Sequence, residues 1–167
     1  MRKLFLLVLA IALVSTISVS ARADNLVLGS WDIFSFGAAG SQATGSSGSD
    51  FYYTGSAVIQ VTDCCETGDT FTVYDNGVLL GTTNTVATTL GDGCPNGDAC
   101  FADPTYSHGS WVVGSGLNDI TIFSDASPWG SGGAYVEAVA TPEPGSLLLF
   151  GTGLAGVIGA IRRKLMV

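Results

Sequence analysis

The chain has 167 residues and a formal net charge of -8, with 23 glycines and only 12% charged residues. No Lys or Arg lies between Arg22 and Arg162. This excludes a nucleic-acid-binding body, because such affinity comes mainly from basic side chains that displace counterions from phosphates. The length allows one domain between the terminal segments, and the glycine content favours short strands and turns over long helices.

The first 23 residues predict a secretory signal peptide. Two basic residues precede an uninterrupted apolar stretch, and small residues then occupy both positions of an A-x-A cleavage site. In chain order these parts are Arg2 and Lys3, residues 4–14, and Ala21 and Ala23. We expect cleavage to leave Asp24 as the first residue of the exported protein. The alternative is an N-terminal helix that stays in the membrane.

Residues 24–140 predict an all-β domain, and we expect an antiparallel β-sandwich or jelly-roll-like fold. Short segments of strand character are separated by Gly, Asp and Ser, and no stretch keeps an apolar period of 3.6 residues. Ala57, Ile59 and Val61 fall on one face of such a segment, as alternation along a strand requires. The predicted strands lie within residues 25–36, 55–62, 70–74, 78–82, 110–114, 118–124 and 134–139. Residues 37–49, rich in Gly, Ala and Ser, predict a flexible loop.

Two of these segments flank Asn76-Gly77, a dipeptide typical of a two-residue hairpin, since both residues tolerate positive φ in a type I′ turn. The surrounding stretch, residues 61–83, contains the pattern GD-x-F-x-V-Y-D-N-G. It resembles uncharacterised secreted β-sandwich proteins of bacteria and fungi. That resemblance implies the fold and brings no activity with it.

Four cysteines in an exported domain indicate disulfides. Cys94 and Cys100 bracket a short loop, and a local bridge between them is the first expectation. Cys64 and Cys65 are adjacent in sequence. They could bridge to each other or each pair with a distal cysteine, and the spacing does not choose. A zinc site is the alternative, although the spacing lacks the usual C-x₂-C pairs.

Carboxylates are concentrated in loops without a basic residue to neutralise them, and Asp63, Glu66 and Asp69 form one such group. Calcium is the cation we consider for this group, because it accepts carboxylate and carbonyl oxygens from irregular loops. The alternative is that the three are solvated turn residues. No other cofactor is expected.

No residue pattern marks an active site, and we expect a protein without enzymatic activity. His108 is the only histidine, no G-x-S-x-G motif accompanies it, and we expect it in a turn before a strand. The enzyme alternative is a glycosidase that uses two carboxylates. Glu66, Asp69 and Glu137 would be its first candidates.

Residues 141–167 predict a sorting signal with three parts. A proline-bounded motif, kept extended by its two prolines, precedes an apolar, glycine-bearing run and a basic cluster. In chain order these are Pro142, Glu143 and Pro144, residues 146–161, and Arg162, Arg163 and Lys164. As a helix the apolar run is about 24 Å long, slightly short for a bilayer core of about 30 Å, a gap that snorkelling of the basic residues and local thinning can cover. The basic cluster should stay cytoplasmic, which places the acidic domain across the membrane.

This three-part order resembles the PEP-CTERM sorting signal of Gram-negative bacteria. The resemblance implies that an exosortase, a protease spanning the inner membrane, recognises Pro142, Glu143 and Pro144. It also implies an organism that makes extracellular polysaccharide. The alternative is a proline-bounded linker before an ordinary membrane anchor.

We therefore expect a precursor anchored by its C-terminal helix, and then a non-catalytic protein of the cell surface or extracellular matrix. Its domain would contact exopolysaccharide. Trp129 and Tyr106 are the aromatic residues that we expect to be exposed and to stack on sugar rings. The alternatives are the glycosidase and a self-assembling structural coat subunit.

Overall fold

The structure, a computed structural model, describes residues 24–91 and 93–141. The predicted signal peptide, with Ala21 and Ala23, and most of the sorting signal lie outside this range. The sorting residues outside it are Pro142, Glu143, Pro144, Arg162, Arg163 and Lys164. Within the described range, no helix has the length and apolar character needed to span a membrane.

Nine strands and one short helix form in the described residues. The strands are β1 (Asp24–Asn25), β2 (Asp32–Phe36), β3 (Asp50–Thr54), β4 (Ala57–Asp63), β5 (Thr70–Asp75), β6 (Val78–Thr82), β7 (His108–Val113), β8 (Leu117–Ala126) and β9 (Gly132–Ala140), and helix α1 is Gly97–Ala102. They form a five-stranded sheet in the order β1-β3-β8-β5-β6 and a four-stranded sheet in the order β2-β9-β4-β7. The expected all-β fold is confirmed.

Each sheet buries one face, and alternation along the strands decides which residues lie there. Ala57, Ile59 and Val61 of β4 are all fully buried, as their spacing predicted. In β8, Ile120 and Ile122 are fully buried, and Thr121 between them is partly exposed. Side chains from both sheets therefore meet in one hydrophobic core.

Four phenylalanines from three strands occupy the centre of this core. Phe34 of β2 packs edge-on against Phe71 of β5, with ring centroids 5.4 Å apart, and against Phe51 of β3 at 6.0 Å. Phe36 lies 4.9 Å from Phe71. Such edge-to-face pairs contribute about 1 kcal/mol each beyond the area they bury. Because Phe34 and Phe36 belong to the four-stranded sheet, these contacts hold the two sheets together.

The turn between β5 and β6 has the predicted form. Asn76 and Gly77 have φ angles of 50° and 75°, the positive values that a type I′ turn needs at both central residues. The Asn76 side chain also donates to the Leu117 carbonyl oxygen at 3.2 Å, which ties the hairpin to the start of β8.

The N-terminal strand segment departs from the expected antiparallel pattern. β1 pairs with β3 in parallel, with Asp24 opposite Phe51. The segment predicted as one strand over residues 25–36 is broken, because Ser30 N donates to the Val27 carbonyl oxygen in a turn that separates β1 from β2.

The segment at residues 37–49, predicted as a flexible loop, is instead tied to both sheets. Ala43 is fully buried, and its N–H donates to the Ile122 carbonyl oxygen at 2.8 Å. Thr44 forms a bridge with Ser35 of β2. Ala43, one of the small residues on which the loop prediction rested, is thus part of the core.

Helix α1 was not predicted; it begins inside the loop between Cys94 and Cys100 and ends at Ala102. The Asn96 side chain accepts a hydrogen bond from Ala99 N at 2.9 Å, which is the usual way for Asn to begin a helix. The disulfide between Cys94 and Cys100 is present, and its Cα atoms are 5.5 Å apart, within the normal range for a bridge. The Asn96 cap and the disulfide together stabilise this six-residue helix.

Candidate functional site

The outer face of the five-stranded sheet carries aromatic rings beside carboxylates and hydroxyls, and we call it the aromatic face. Its residues alternate with buried residues along β3, β5 and β8, so their side chains are directed away from the core. They are partly exposed and comprise Asp50, Tyr52, Thr72, Tyr74, Asp119, Thr121 and Phe123.

Strand register places these side chains in neighbouring rows. Asp50, Thr121 and Tyr74 lie opposite one another across β3, β8 and β5, a row about 10 Å long at the usual spacing between strands. Phe123 lies two residues beyond Thr121 in β8 and packs edge-on against Tyr74, with ring centroids 5.8 Å apart. Tyr52 lies opposite Asp119 in the adjoining row. The face therefore has aromatic rings at both ends and polar groups between them.

The aromatic face carries carboxylates that accept hydrogen bonds, and no basic side chain neutralises them. The Asp119 carboxylate raises the pKa of Tyr52, and burial, followed by Asp50, raises the pKa of Asp119 itself. One oxygen of Asp119, Oδ1, is buried without a hydrogen-bond partner. Because the chain has no Lys or Arg between Arg22 and Arg162, the face suits a ligand that donates hydrogen bonds and carries no negative charge.

Sequence reasoning missed the aromatic face, although a signal for it was present. Tyr52, Tyr74 and Phe123 each neighbour a core residue in a strand, so a period of two directs them outward. For Tyr74 and Phe123 the predicted strands already contained this information. For Tyr52 the strand itself, β3, was not predicted.

The three predicted calcium ligands lie at the end of β4 and in the segment that follows it, near enough for their charges to interact. Asp63 and Asp69 are buried and Glu66 is partly exposed. Burial, followed by the charge of Asp69, raises the pKa of Asp63 to about 8. Burial also raises the pKa of Asp69, while the Ser127 side chain opposes that shift.

These carboxylates are under-satisfied rather than arranged around an ion. Asp63 Oδ1 accepts from Cys64 N at 2.8 Å, but Asp63 Oδ2 and Asp69 Oδ1 are buried without a partner. Within residues 24–91 and 93–141, no three His, Cys, Asp or Glu side chains are grouped so that they could hold a metal ion. Calcium binding at Asp63, Glu66 and Asp69 stays a prediction.

Glu137, the third candidate of the glycosidase alternative, is affected by the charge of Asp98 in helix α1 and not by those of Glu66 and Asp69. It is buried on β9, and burial, followed by the charge of Asp98, raises its pKa. Trp31 lies beside this helix, and its indole N–H donates to Asp98 Oδ1 at 2.8 Å.

A groove of 380 Å³ opens between the segment after β6 and the segment before β7. Its lining is uncharged and rich in threonine: Thr67, Asn84, Thr85, Val86, Ala87, Thr89, Pro104 and Thr105. It holds no pair of carboxylates, so it offers no acid and base for glycoside hydrolysis.

The two predicted sugar-stacking residues have different surroundings. Trp129 is 42% exposed, and its indole N–H donates to the Thr67 carbonyl oxygen at 3.2 Å. Tyr106 is only 4% exposed, so the expectation that its ring is exposed is wrong. The turn from Asp103 to Tyr106 folds the ring beneath Gly91, where even a methyl group would meet the Tyr106 hydroxyl at 3.1 Å.

His108 begins β7 instead of lying in a turn before it. Its Nδ1 is 3.0 Å from the Tyr106 carbonyl oxygen, and its ring centroid is 5.2 Å from that of Phe101. These contacts join the strand to helix α1 and give His108 a structural position.

Cys64 and Cys65 are free thiols that touch each other at the end of β4. Their sulfur atoms are 3.0 Å apart, Cys64 is buried and Cys65 is exposed. Burial, followed by the Cys65 side chain, raises the pKa of the Cys64 thiol well above its ordinary value. The remaining expectation for this pair, a vicinal bridge, is compatible with their contact.

Comparison with known proteins identifies only the C-terminal segment. Residues 140–164 match the PEP-CTERM protein-sorting motif, which confirms the resemblance drawn from Pro142, Glu143 and Pro144. No curated protein and no solved structure matches the chain. The motif implies an exported protein that passes through a membrane-anchored precursor and is processed by an exosortase.

Proposed function

We propose that this chain is a non-catalytic surface protein of a Gram-negative bacterium whose exported β domain contacts extracellular polysaccharide through the aromatic face. After sorting, it resides at the cell surface or in the extracellular matrix. The observation that carries the proposal is that the paired Tyr74 and Phe123 rings and the Asp119 carboxylate lie on one partly exposed sheet face. Aromatic faces pack on the C–H faces of sugars, and carboxylates accept hydrogen bonds from their hydroxyls.

Charge decides which polysaccharides fit. An acidic surface without basic residues repels uronate-rich or sulfated chains, and this repulsion weakens as salt screens it. A neutral, hydroxyl-rich polysaccharide meets no such penalty. We therefore assign the aromatic face to neutral glycans.

Binding of the full chain, in non-ionic detergent, to immobilised neutral and uronate-rich polysaccharides tests this assignment. Tyr74→Ala should weaken binding to the neutral polysaccharide about tenfold, the equivalent of about 1.4 kcal/mol. Trp129→Ala is the matched control, because this exposed ring lies outside the aromatic face. Equal binding by wild type and Tyr74→Ala, or loss of binding only in Trp129→Ala, would contradict the proposed site.

The sorting step has its own test in cells. Glu143→Ala should leave the chain in the membrane fraction at its precursor mass, whereas Glu66→Ala, which changes a carboxylate outside the motif, should be processed as in wild type. Deletion of the exosortase should reproduce the Glu143→Ala result. Normal processing of Glu143→Ala would remove the sorting part of the proposal.

Self-assembly as a coat subunit is the second candidate, and the strand edges favour it. β6 and β7 are edge strands of their sheets, and neither contains Asp, Glu, Lys, Arg or Pro. Val78, Leu79 and Val112 on these strands are each more than half exposed. Edges without such charges or prolines can pair with another chain. A molecular mass that grows with concentration in sedimentation, and that Val112→Lys returns to the monomer value, would support this candidate.

A further inference from the structure

The contact between Cys64 and Cys65 is maintained by an uncommon backbone conformation. Cys65 has φ of 76°, in the left-handed region that costs a residue other than glycine about 1–2 kcal/mol. Neighbouring contacts hold it there. Asp63 Oδ1 accepts from Cys64 N, and Gly91 lies so close to the Cys65 carbonyl oxygen that no side chain would fit. Such a strained residue, fixed from both sides, is a reason to look for function.

The two thiols differ in access. Cys65 is exposed. Cys64 is buried, and its sulfur lies 3.1 Å from the Gly133 carbonyl oxygen at the start of β9. A reagent in solution can reach Cys65, and the Cys64 sulfur lies 3.0 Å from the Cys65 sulfur. The other two cysteines are already joined to each other, so Cys65 is the partner that the chain offers to Cys64.

We propose that Cys64 and Cys65 form a dithiol site that reduces disulfide compounds by exchange and closes to a vicinal disulfide. The reactant is a disulfide, either a small one such as oxidised glutathione or one carried by a protein. The reaction requires the thiol pair alone, so it does not depend on polysaccharide binding. Export supplies the compartment in which such disulfides are plentiful.

The exchange takes place in two steps that balance. The Cys65 thiol loses its proton to solvent, and its sulfur attacks one sulfur of the disulfide, whose S–S bond breaks and releases one thiolate. The Cys64 thiol then loses its proton and attacks the Cys65 sulfur of the mixed disulfide, which releases the second thiolate. The protein loses two electrons as the Cys64–Cys65 bond forms, and the disulfide compound gains them as two thiols.

The closed bridge would be easier to reduce than the one between Cys94 and Cys100. Adjacent Cα atoms are about 3.8 Å apart, below the range of about 4.4–6.8 Å in which disulfides are relaxed. The Cys94 and Cys100 Cα atoms, at 5.5 Å, lie inside that range. Strained and exposed disulfides are reduced easily. We therefore expect the bridge between Cys64 and Cys65 to be reversible and the one between Cys94 and Cys100 to be structural.

The experiment starts with the purified full chain in detergent, treated with a mild reductant until two thiols per chain react with Ellman's reagent. Oxidised glutathione is then added in large excess, because a strained bridge closes completely only against a surplus of the disulfide. The reaction is quenched with acid and analysed by mass spectrometry. We expect no free thiol, two reduced glutathione molecules per chain, no retained glutathione, and a peptide with Cys64 and Cys65 that lacks two hydrogen atoms.

Two variants separate the steps. Cys64→Ser should stop at a mixed disulfide between Cys65 and glutathione, whereas Cys65→Ser should react at least tenfold more slowly because its remaining thiol is buried. An intact bridge between Cys94 and Cys100, together with an unchanged circular dichroism spectrum, shows that each variant is folded. Persistence of both thiols in wild type, a glutathione adduct that is not released, or a bridge between two chains would each overturn the proposal.

Discussion

Raising the pH from 5 to 8 should destabilise the folded chain, because Asp63 is buried as a neutral carboxyl. Burial, followed by the charge of Asp69, raises the pKa of Asp63 to about 8. In the unfolded chain its pKa returns to about 3.9. The folded state therefore binds more protons than the unfolded state between these two values. Its advantage is complete below the lower pKa and is lost as pH rises through the upper one.

The two pKa values set the size of the effect. Proton linkage predicts a loss of about 3.5 kcal/mol in the free energy of unfolding between pH 5 and pH 8, or about 2.5 kcal/mol if the folded pKa is one unit lower. Asp69 and Glu137, whose pKa values burial also raises, change stability in the same direction. A loss of this size is a large fraction of the stability of an ordinary domain.

Urea unfolding of the full chain in non-ionic detergent, followed by tryptophan fluorescence at pH 5 and pH 8, measures this loss. Asp63→Asn removes the titrating group and should remove most of the pH dependence. Asp103→Asn is the matched control: the Thr105 backbone N–H lowers the pKa of Asp103, so this carboxylate stays ionised across the window. A free energy of unfolding that is level or rises from pH 5 to pH 8, or full pH dependence in Asp63→Asn, refutes the reasoning.

Three substitutions test the packing, each by urea unfolding at fixed pH. Phe71→Ala should cost about 3–5 kcal/mol because it opens a cavity between the sheets, whereas Phe123→Ala on the aromatic face should cost less than half as much. Asn118→Ala should cost about 1–3 kcal/mol, because its buried Nδ2 donates to backbone carbonyl oxygens of β3, of the turn after β3 and of the loop before β8. Gly97→Ala should cost about 1–3 kcal/mol, because its methyl group would collide with the Trp31 indole; combining it with Trp31→Ala should cost less than the sum of the two single changes.

The local sequence pattern was sufficient to predict which residues are buried where a strand alternates between core and solvent. The inward set Ala57, Ile59 and Val61 and the turn at Asn76-Gly77 both depend on residues adjacent in sequence, so both were predictable. β3 was not predicted, because three consecutive aromatic residues obscure the period of two. Phe51 is directed inward and Tyr52 outward, and only the sheet on either side distinguishes them.

Other features depend on contacts between distant parts of the chain and leave no local trace. The parallel pairing of Asp24 with Phe51 and the burial of Tyr106 beneath Gly91 are of this kind. The candidate calcium ligands illustrate the same limit. The sequence placed Asp63 in an acidic loop, but it is the last residue of β4, and burial converts it into a group that holds its proton at neutral pH.

The register of β9 fixes how far the thiol pair stands from the point where the sorting signal begins. Ala134 lies opposite Asp63, the neighbour of Cys64, and Ala140 lies opposite Ala57. Six residue steps along a strand measure about 20 Å. A protein that binds the chain at Ala140 would therefore have to extend about 20 Å along β9 to reach the thiols. Exchange with small disulfides in solution needs no contact at Ala140, so its rate should not change when the sorting signal is removed.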